Sequence, residues 1–213
     1  MDYKHIVWDW NGTLLNDAEA CAHAVAEMLE KRGMGTLTLE EYRDRIVFPV
    51  INLYYIAGFD MEKEDFKSIC DEYIENYLKC FPSLRIQNDA RDILQKLKDK
   101  GLSQYIVSAS GLDILLKQVR HYGLEEFFIH ILGQKDNQGD SKVHLAQQLI
   151  ALTQCRPEEV LFIGDTLHDD EVAKEAGFDC CLVANGHCSS ERLVKTGSPV
   201  YENLTAMYEA LFK

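Results

Sequence analysis

Beyond about residue 83 the chain alternates short apolar runs with segments of helical period, and this alternation limits the architecture more than any other feature. Asn88 is placed to cap a helix with Ala90, Ile93, Leu94 and Leu97 on one face and Gly101 at its end. A strand around 104–107, a helix near 111–122, a strand near 128–132 and a helix near 142–152 follow. Then come a strand at 160–163, a helix near 169–176, a strand at 180–183 and a last helix carrying Leu204, Met207 and Leu211. Strands joined through helices form parallel sheets covered on both faces. With one more apolar run at the start, His5–Trp8, the predicted fold class is α/β, a doubly wound parallel sheet.

The stretch between the first strand and residue 83 has a different pattern. Asn16 or Asp17 is placed to cap a helix with Ala18, Cys21, Ala22, Val25, Met28 and Leu29 at helical spacing, ended by Gly33. Helical segments near 39–47, 50–57 and 63–80 follow, and the region has no good strand. The expectation is a core domain made of residues 1–15 and 83–213 and an all-helical insert made of residues 16–82. An insert at the carboxyl end of a parallel strand projects over the side of the sheet where ligands bind, which is where a lid would stand.

Composition narrows the partners. A formal net charge of -13 disfavours nucleic acid and anionic membranes, whose phosphates want a basic face. A phosphorylated substrate then has to meet locally reversed charge, from a metal ion or a placed lysine. No apolar run is long enough to span a bilayer, and the first strand begins without a basic region and apolar stretch of signal-peptide type, so a cytoplasmic location is expected. The seven cysteines are scattered without a CxxC pair and read as reduced core thiols. A monomer or weak dimer is expected.

Polar residues gather where the strands end. The first strand stops at Asp9, followed by Asn11, Gly12 and Thr13; the 104–107 strand stops at Ser108, Ala109 and Ser110; the 160–163 strand runs into Gly164, Asp165, Thr166, His168, Asp169 and Asp170. Lys142 opens a helix between them. Each has an ordinary reading alone, as a turn former, a helix cap or a first-turn acid. Together they place carboxylates on neighbouring strand ends, an unfavourable pair without a cation between them. Hard oxygen donors suit Mg²⁺, and a serine hydroxyl and a lysine suit phosphate oxygens.

At these residues the chain resembles the haloacid dehalogenase-like hydrolase superfamily, in particular its phosphoglycolate-phosphatase-like branch with a helical cap. The first motif, hhhDxDGT, reads Val7-Trp8-Asp9-Trp10-Asn11-Gly12-Thr13; the second is Ser108; the third is Lys142, with Lys135 as competitor; the fourth, GDxxxD, reads Gly164-Asp165-Thr166-Leu167-His168-Asp169. The resemblance implies a phosphatase of small phosphorylated metabolites. Asp9 is the implied nucleophile, Ser108, Ala109 and Lys142 are the implied phosphate-binding residues, and Mg²⁺ is held by Asp9, the backbone carbonyl of Asn11 and Asp165. Asp169 acts on the metal directly, through water, or by orienting the lysine.

One position departs from the pattern. Family phosphatases carry an aspartate two residues after the nucleophile, which protonates the leaving alcohol; here it is Asn11, which cannot exchange a proton near neutral pH. Such help is worth roughly 100- to 10,000-fold in rate. The alternatives are a substrate with a good leaving group, a proton from another residue such as His168 or His23, or slow turnover by a phosphate-ester binding protein. Phosphonate hydrolysis through a Schiff base on Lys31, Lys63, Lys67 or Lys79 is a further alternative. Arg43–Asn52 is a candidate contributor to substrate choice.

Overall fold

The computed structural model describes residues 3–213. The chain runs β1 (His5–Trp8), β2 (Leu15–Asn16), α1 (Ala18–Lys31), α2 (Leu39–Arg45), α3 (Ile51–Ala57), α4 (Phe66–Cys80), β3 (Arg85–Ile86), α5 (Ala90–Asp99), β4 (Ser103–Gly111) and α6 (Leu112–His121). It continues through β5 (His130–Gln134), α7 (Val143–Thr153), β6 (Val160–Gly164), α8 (Leu167–Ala176), β7 (Asp179–Val183), α9 (Ser190–Leu193), β8 (Val200–Tyr201) and α10 (Leu204–Phe212). Six strands form one parallel sheet in the order β5-β4-β1-β6-β7-β8. The fold class is therefore the α/β, doubly wound parallel sheet that the alternation implies. Strand order reverses at β1, and ligands in such sheets bind beyond the carboxyl ends at this reversal.

The two-residue period of β1 serves both faces. Ile6 and Trp8 pack with Leu97, Ile106 and Met207 on one side, and Val7 packs with Leu149, Phe162 and Val172 on the other. All nine are completely or almost completely buried, each contributing roughly 1.5–3 kcal/mol when apolar surface leaves water. Trp8 keeps its indole N–H satisfied by donating to Gln104 Oε1 at 3.0 Å.

Four helices separate β2 from β3, and the two strands pair antiparallel, Leu15 with Ile86 and Asn16 with Arg85. The chain thus leaves and re-enters the α/β layer at one point, and strands this short carry too little pattern to be read from sequence. Helices α1 and α4 pack through Val25, Met28, Ile69 and Tyr77, and Arg32 joins them by binding both Glu64 and Glu72. The α2–α3 segment rests on the sheet's ligand side. Arg43 Nε donates to Gly186 O at 2.9 Å, Arg192 donates to the carbonyls of Arg43 and Ile46, and the Phe48 ring stacks on His168 with centroids 5.3 Å apart.

Several boundaries differ from the sequence reading. Asp89, not Asn88, precedes α5, and its carboxylate accepts from Thr205 instead of capping its own helix. β4 runs to Gly111 because an irregularity after Val107 lets Gly111 pair with Gln134. The helix expected at 63–80 begins at Phe66, where Asp65 accepts from the Ser68 N–H, and β8 and α9 carry too few residues for a period to show. All seven cysteines are free thiols.

Candidate active site

The register places the key loops side by side. Trp8 lies opposite Ile106 on one neighbour and Ile163 on the other, so Asp9, the turn from Ser108 and Asp165 leave the sheet at adjacent ends. The Asp9 N–H donates to Ile163 O at 2.9 Å, which carries the pairing one residue further and fixes its carboxylate above the strand ends.

Lys142, immediately before α7, sends its ammonium to this point, contacting Asp9 Oδ1 and, at 2.6 Å, Asp169 Oδ1. All three side chains are buried. Burial alone would lower the lysine pKa, but Asp169 and Asp9 more than reverse this and raise it, so Lys142 is cationic. The other oxygen of Asp169 accepts from the N–H groups of Asp165 and Thr166 and from Thr166 Oγ1, as part of a capping box on α8. Asp169 consequently orients the lysine. Although buried, its carboxyl is held below the usual carboxylate range, chiefly by Lys142.

Asp165 is clamped on the neighbouring strand end. Thr13 Oγ1 donates to its Oδ1 at 2.7 Å and the His187 N–H to its Oδ2 at 2.6 Å. Two glycines allow the close approach. A Cβ on Gly12, which has φ +79°, would strike the Asp165 carboxylate and the His187 ring, and one on Gly186 would strike the same carboxylate.

The second half of the loop is held by a buried polar network. Asn11 Nδ2 donates to Asp17 Oδ2 at 2.5 Å, and Asn11 Oδ1 accepts from Ser110 Oγ at 2.6 Å. Asp17 also accepts from the Gly12 N–H and the Tyr77 hydroxyl, and its Oδ1 lies 3.2 Å from His187 Nε2. The other ring nitrogen of His187 meets the Tyr42 hydroxyl at 3.0 Å. Burial would favour neutral forms of both, but the mutual bond and charge win. Asp17 is lowered, and His187 is raised to about 9, so the two form an ion pair.

The donor set suits a divalent cation. Carboxylate oxygens of Asp9, Asp165 and Asp169 lie within 4.8 Å of one another, all buried, against one ammonium. Burial and the neighbouring carboxylates raise Asp9 well above its usual range, although Lys142 opposes this. Asp165 is raised to about 6, first by burial, with His187 opposing and Asp169 adding to the rise. Surplus buried negative charge is what a hard cation such as Mg²⁺ neutralises.

A cavity opens above Asp9. Asp9, Ser108, Lys142 and Asp169 form its floor, and Val25, Phe48, Leu53, Tyr54 and Ile74 are among its walls. Ser108 Oγ accepts from the Ser110 N–H at 3.1 Å, and a serine hydroxyl that accepts still has its own proton to donate. Ala109 lines the same floor. Of the two candidate lysines, Lys142 is at the site and Lys135 is exposed on the loop after β5.

Histidines divide similarly. His23 is exposed beside Glu27. His168, in the first turn of α8, is buried on the cavity wall and accepts from the Lys142 N–H at 3.3 Å. Sequence reasoning missed His187 altogether and took Asp17 for a helix cap. Asp17 does precede α1, but its carboxylate turns back to the Asn11-Gly12 loop and makes no capping bond. An acid six residues after a loop asparagine was the available signal for Asp17. His187 lies in a coil with no periodic signal.

A model of the family described as haloacid dehalogenase-like hydrolase matches residues 6–183. The phosphoglycolate phosphatase of Rhodobacter capsulatus is 24% identical over 186 residues, covering 85% of this chain and 84% of that protein. The phosphoglycolate phosphatase of Aquifex aeolicus is 28% identical over 193 residues, covering 85% of each. A haloacid dehalogenase-like family hydrolase from Streptococcus pneumoniae, 19% identical, superposes with a TM-score of 0.84 over 100% of this chain and 99% of its own. With the strand-end carboxylates and the family match over most of its length, this chain belongs to the haloacid dehalogenase-like hydrolases.

Proposed function

We propose that the protein is a Mg²⁺-dependent phosphatase of small phosphorylated metabolites that works through an aspartyl-phosphate on Asp9. The observation that carries this reading is the Asp9 carboxylate at the end of β1, with the Lys142 ammonium on one oxygen and the cavity above it. Asp9 attacks phosphorus, an Oδ–P bond from its carboxylate forms and the ester P–O bond breaks, and the alcohol leaves with its electron pair. Water then releases phosphate and restores Asp9. Lys142 and Ser108 hold the transferring oxygens, and Asp169 keeps the lysine aimed. Asp9, the Asn11 carbonyl and Asp165, with Asp169 nearby, would hold Mg²⁺, which when bound neutralises charge on the carboxylates and the phosphoryl group.

Residues 16–82 act as a cap in this reading, supported by the contacts that Arg43, Phe48 and the carbonyl of Ile46 make with the layer carrying the strand ends. Asn11 makes turnover slow, or limits it to good leaving groups. Its amide is committed to Asp17 and Ser110, and it has no proton to exchange. The attenuated, phosphate-ester-binding reading rests on the same observation. The phosphonate reading loses support because Lys31, Lys63, Lys67 and Lys79 are exposed and paired with acids.

Hydrolysis of p-nitrophenyl phosphate with Mg²⁺ tests the proposal, since this leaving group needs no protonation. Release of nitrophenol that vanishes in Asp9→Asn supports it, and release that survives the substitution refutes it.

A further inference from the structure

The cavity above Asp9 changes character from floor to roof. Its floor is charged, but the walls given by α1, α3, α4 and the segment after α2 are Val25, Ile46, Phe48, Leu53, Tyr54 and Ile74. A carboxylate entering that part would lose its water and need a cation in exchange. Residues 16–82 contain seven lysines and arginines, and each is engaged away from this wall. Lys31 binds Glu72, Arg32 binds Glu64 and Glu72, Arg43 binds Gly186 O, and Arg45 pairs with Glu41. Lys63 pairs with Asp60, Lys67 with Asp71, and Lys79 with Asn76 and Glu75.

Among the described residues, the basic groups that line the cavity are Lys142, His168 and His187. Lys142 is shared by Asp9 and Asp169, and His187 is paired with Asp17. His168 stacks on Phe48, its Nδ1 meets Glu171 at 3.3 Å and its Nε2 accepts from the Lys142 N–H. The hydroxyls of Tyr42 and Tyr77 are committed to His187 and Asp17. The phosphate end therefore has its lysine, whereas among the described residues no lysine or arginine lines the far end, where Tyr54 and Tyr73 are the remaining tyrosines.

We propose that the cavity walls receive the organic group of the substrate and that this group is uncharged and apolar or aromatic, which makes the substrate a phosphate monoester of an apolar or aromatic alcohol rather than a carboxylate-bearing ester such as 2-phosphoglycolate. The inference rests on the phosphatase reading above and adds the substrate class to it. The overall reaction is ester plus water giving alcohol plus inorganic phosphate, with no other reactant.

Values of kcat/KM with Mg²⁺ are to be compared for ethyl, hexyl and 2-phenylethyl phosphate, 2-phosphoglycolate and its neutral amide, 2-phosphoglycolamide. All release primary alcohols, so the comparison reads the organic group more than the leaving group. Hexyl and phenylethyl phosphate are expected at least tenfold above ethyl phosphate, and the amide at least tenfold above 2-phosphoglycolate. Equal values along the chain-length series, or 2-phosphoglycolate matching its amide, overturns the inference and leaves the phosphatase reading standing. Where the alkyl esters turn over too slowly, the same order is read from their inhibition of p-nitrophenyl phosphate hydrolysis. If even that ester is inert, the phosphatase reading falls, and calorimetric affinities of the panel decide the wall's preference by the same two ratios. Ile74→Arg, which adds a cation to the wall, is expected to raise the ratio of 2-phosphoglycolate to its amide at least tenfold; a folded variant with an unchanged ratio counts against the inference.

Discussion

The side-chain amide of Asn11 donates to the Asp17 carboxylate at 2.5 Å, so the unusual residue of the first motif is matched to an acid six positions on. Restoring the family aspartate by Asn11→Asp would set two buried carboxyls against each other. One would be held protonated, with a folded pKa raised above its unfolded value. Stability from that proton is present below about pH 4 and is lost as pH rises through the raised value. Asn11→Asp is expected to destabilise the protein by about 1–3 kcal/mol at pH 7, with the loss shrinking in acid. Asn11→Asp with Asp17→Asn is expected to recover most of it. Thermal melts between pH 4 and 8 check both.

Two buried carboxylates, Asp9 and Asp169, share the Lys142 ammonium with Asp165 close by, and removing one relieves the crowding. Without Mg²⁺, Asp9→Asn is expected to unfold at the same or higher urea concentration than the native protein while losing activity. Lys142→Met strands Asp9 and Asp169 and is expected to cost about 3–5 kcal/mol, a loss partly reversed by adding Asp9→Asn. Urea titrations of the three variants give the answer.

Cation binding to this acidic site appears as stabilisation by mass action. At a hundred times its dissociation constant, Mg²⁺ should add about 2.7 kcal/mol, seen as a higher melting temperature that a chelator reverses. The rise is expected to be much smaller in Asp165→Asn. Calorimetric scans over a Mg²⁺ series measure it.

Arg192 fastens the α2–α3 segment by donating to Arg43 O at 2.8 Å and Ile46 O at 2.6 Å. Arg192→Ala leaves both carbonyls to water and is expected to weaken this hold by about 1–3 kcal/mol. Limited proteolysis should cut faster between residues 33 and 60, with cuts elsewhere unchanged.

Glu72 bridges α1 and α4 by accepting from Lys31 at 2.7 Å and Arg32 at 2.6 Å, which holds its carboxyl below the usual range, chiefly through Arg32. A depressed folded pKa gives stability that is present above about pH 4.3 and lost as pH falls through the folded value. Glu72→Gln is expected to lower stability at pH 7 and flatten its decline below pH 4.3, as read by urea midpoints from pH 3 to 7.

The parallel sheet was legible because period-two and helical patterns alternate over long stretches, and the strand-end residues because their types are unusual together. Lys142 was preferred over Lys135 because it opens a helix, but that its ammonium meets Asp9 was not legible, since this depends on the path of the chain before α7. Asp17 was legible only as an acid before a helix, because sequence does not say which way a side chain at that position turns.

The sequence by itself determined the layers of this protein and the acids, serine and lysine that the strands deliver to one edge. These depend on short-range pattern and on the rule that parallel strands end together. Tertiary structure decided what those residues face. It brought His187 from 170 positions away in number onto Asp17, set the Asn11 amide between Asp17 and Ser110, and left the lysines and arginines of residues 16–82 off the cavity lining. Such pairings join segments distant in the chain, and their energies depend on burial and on the partner met there, neither of which a linear pattern contains.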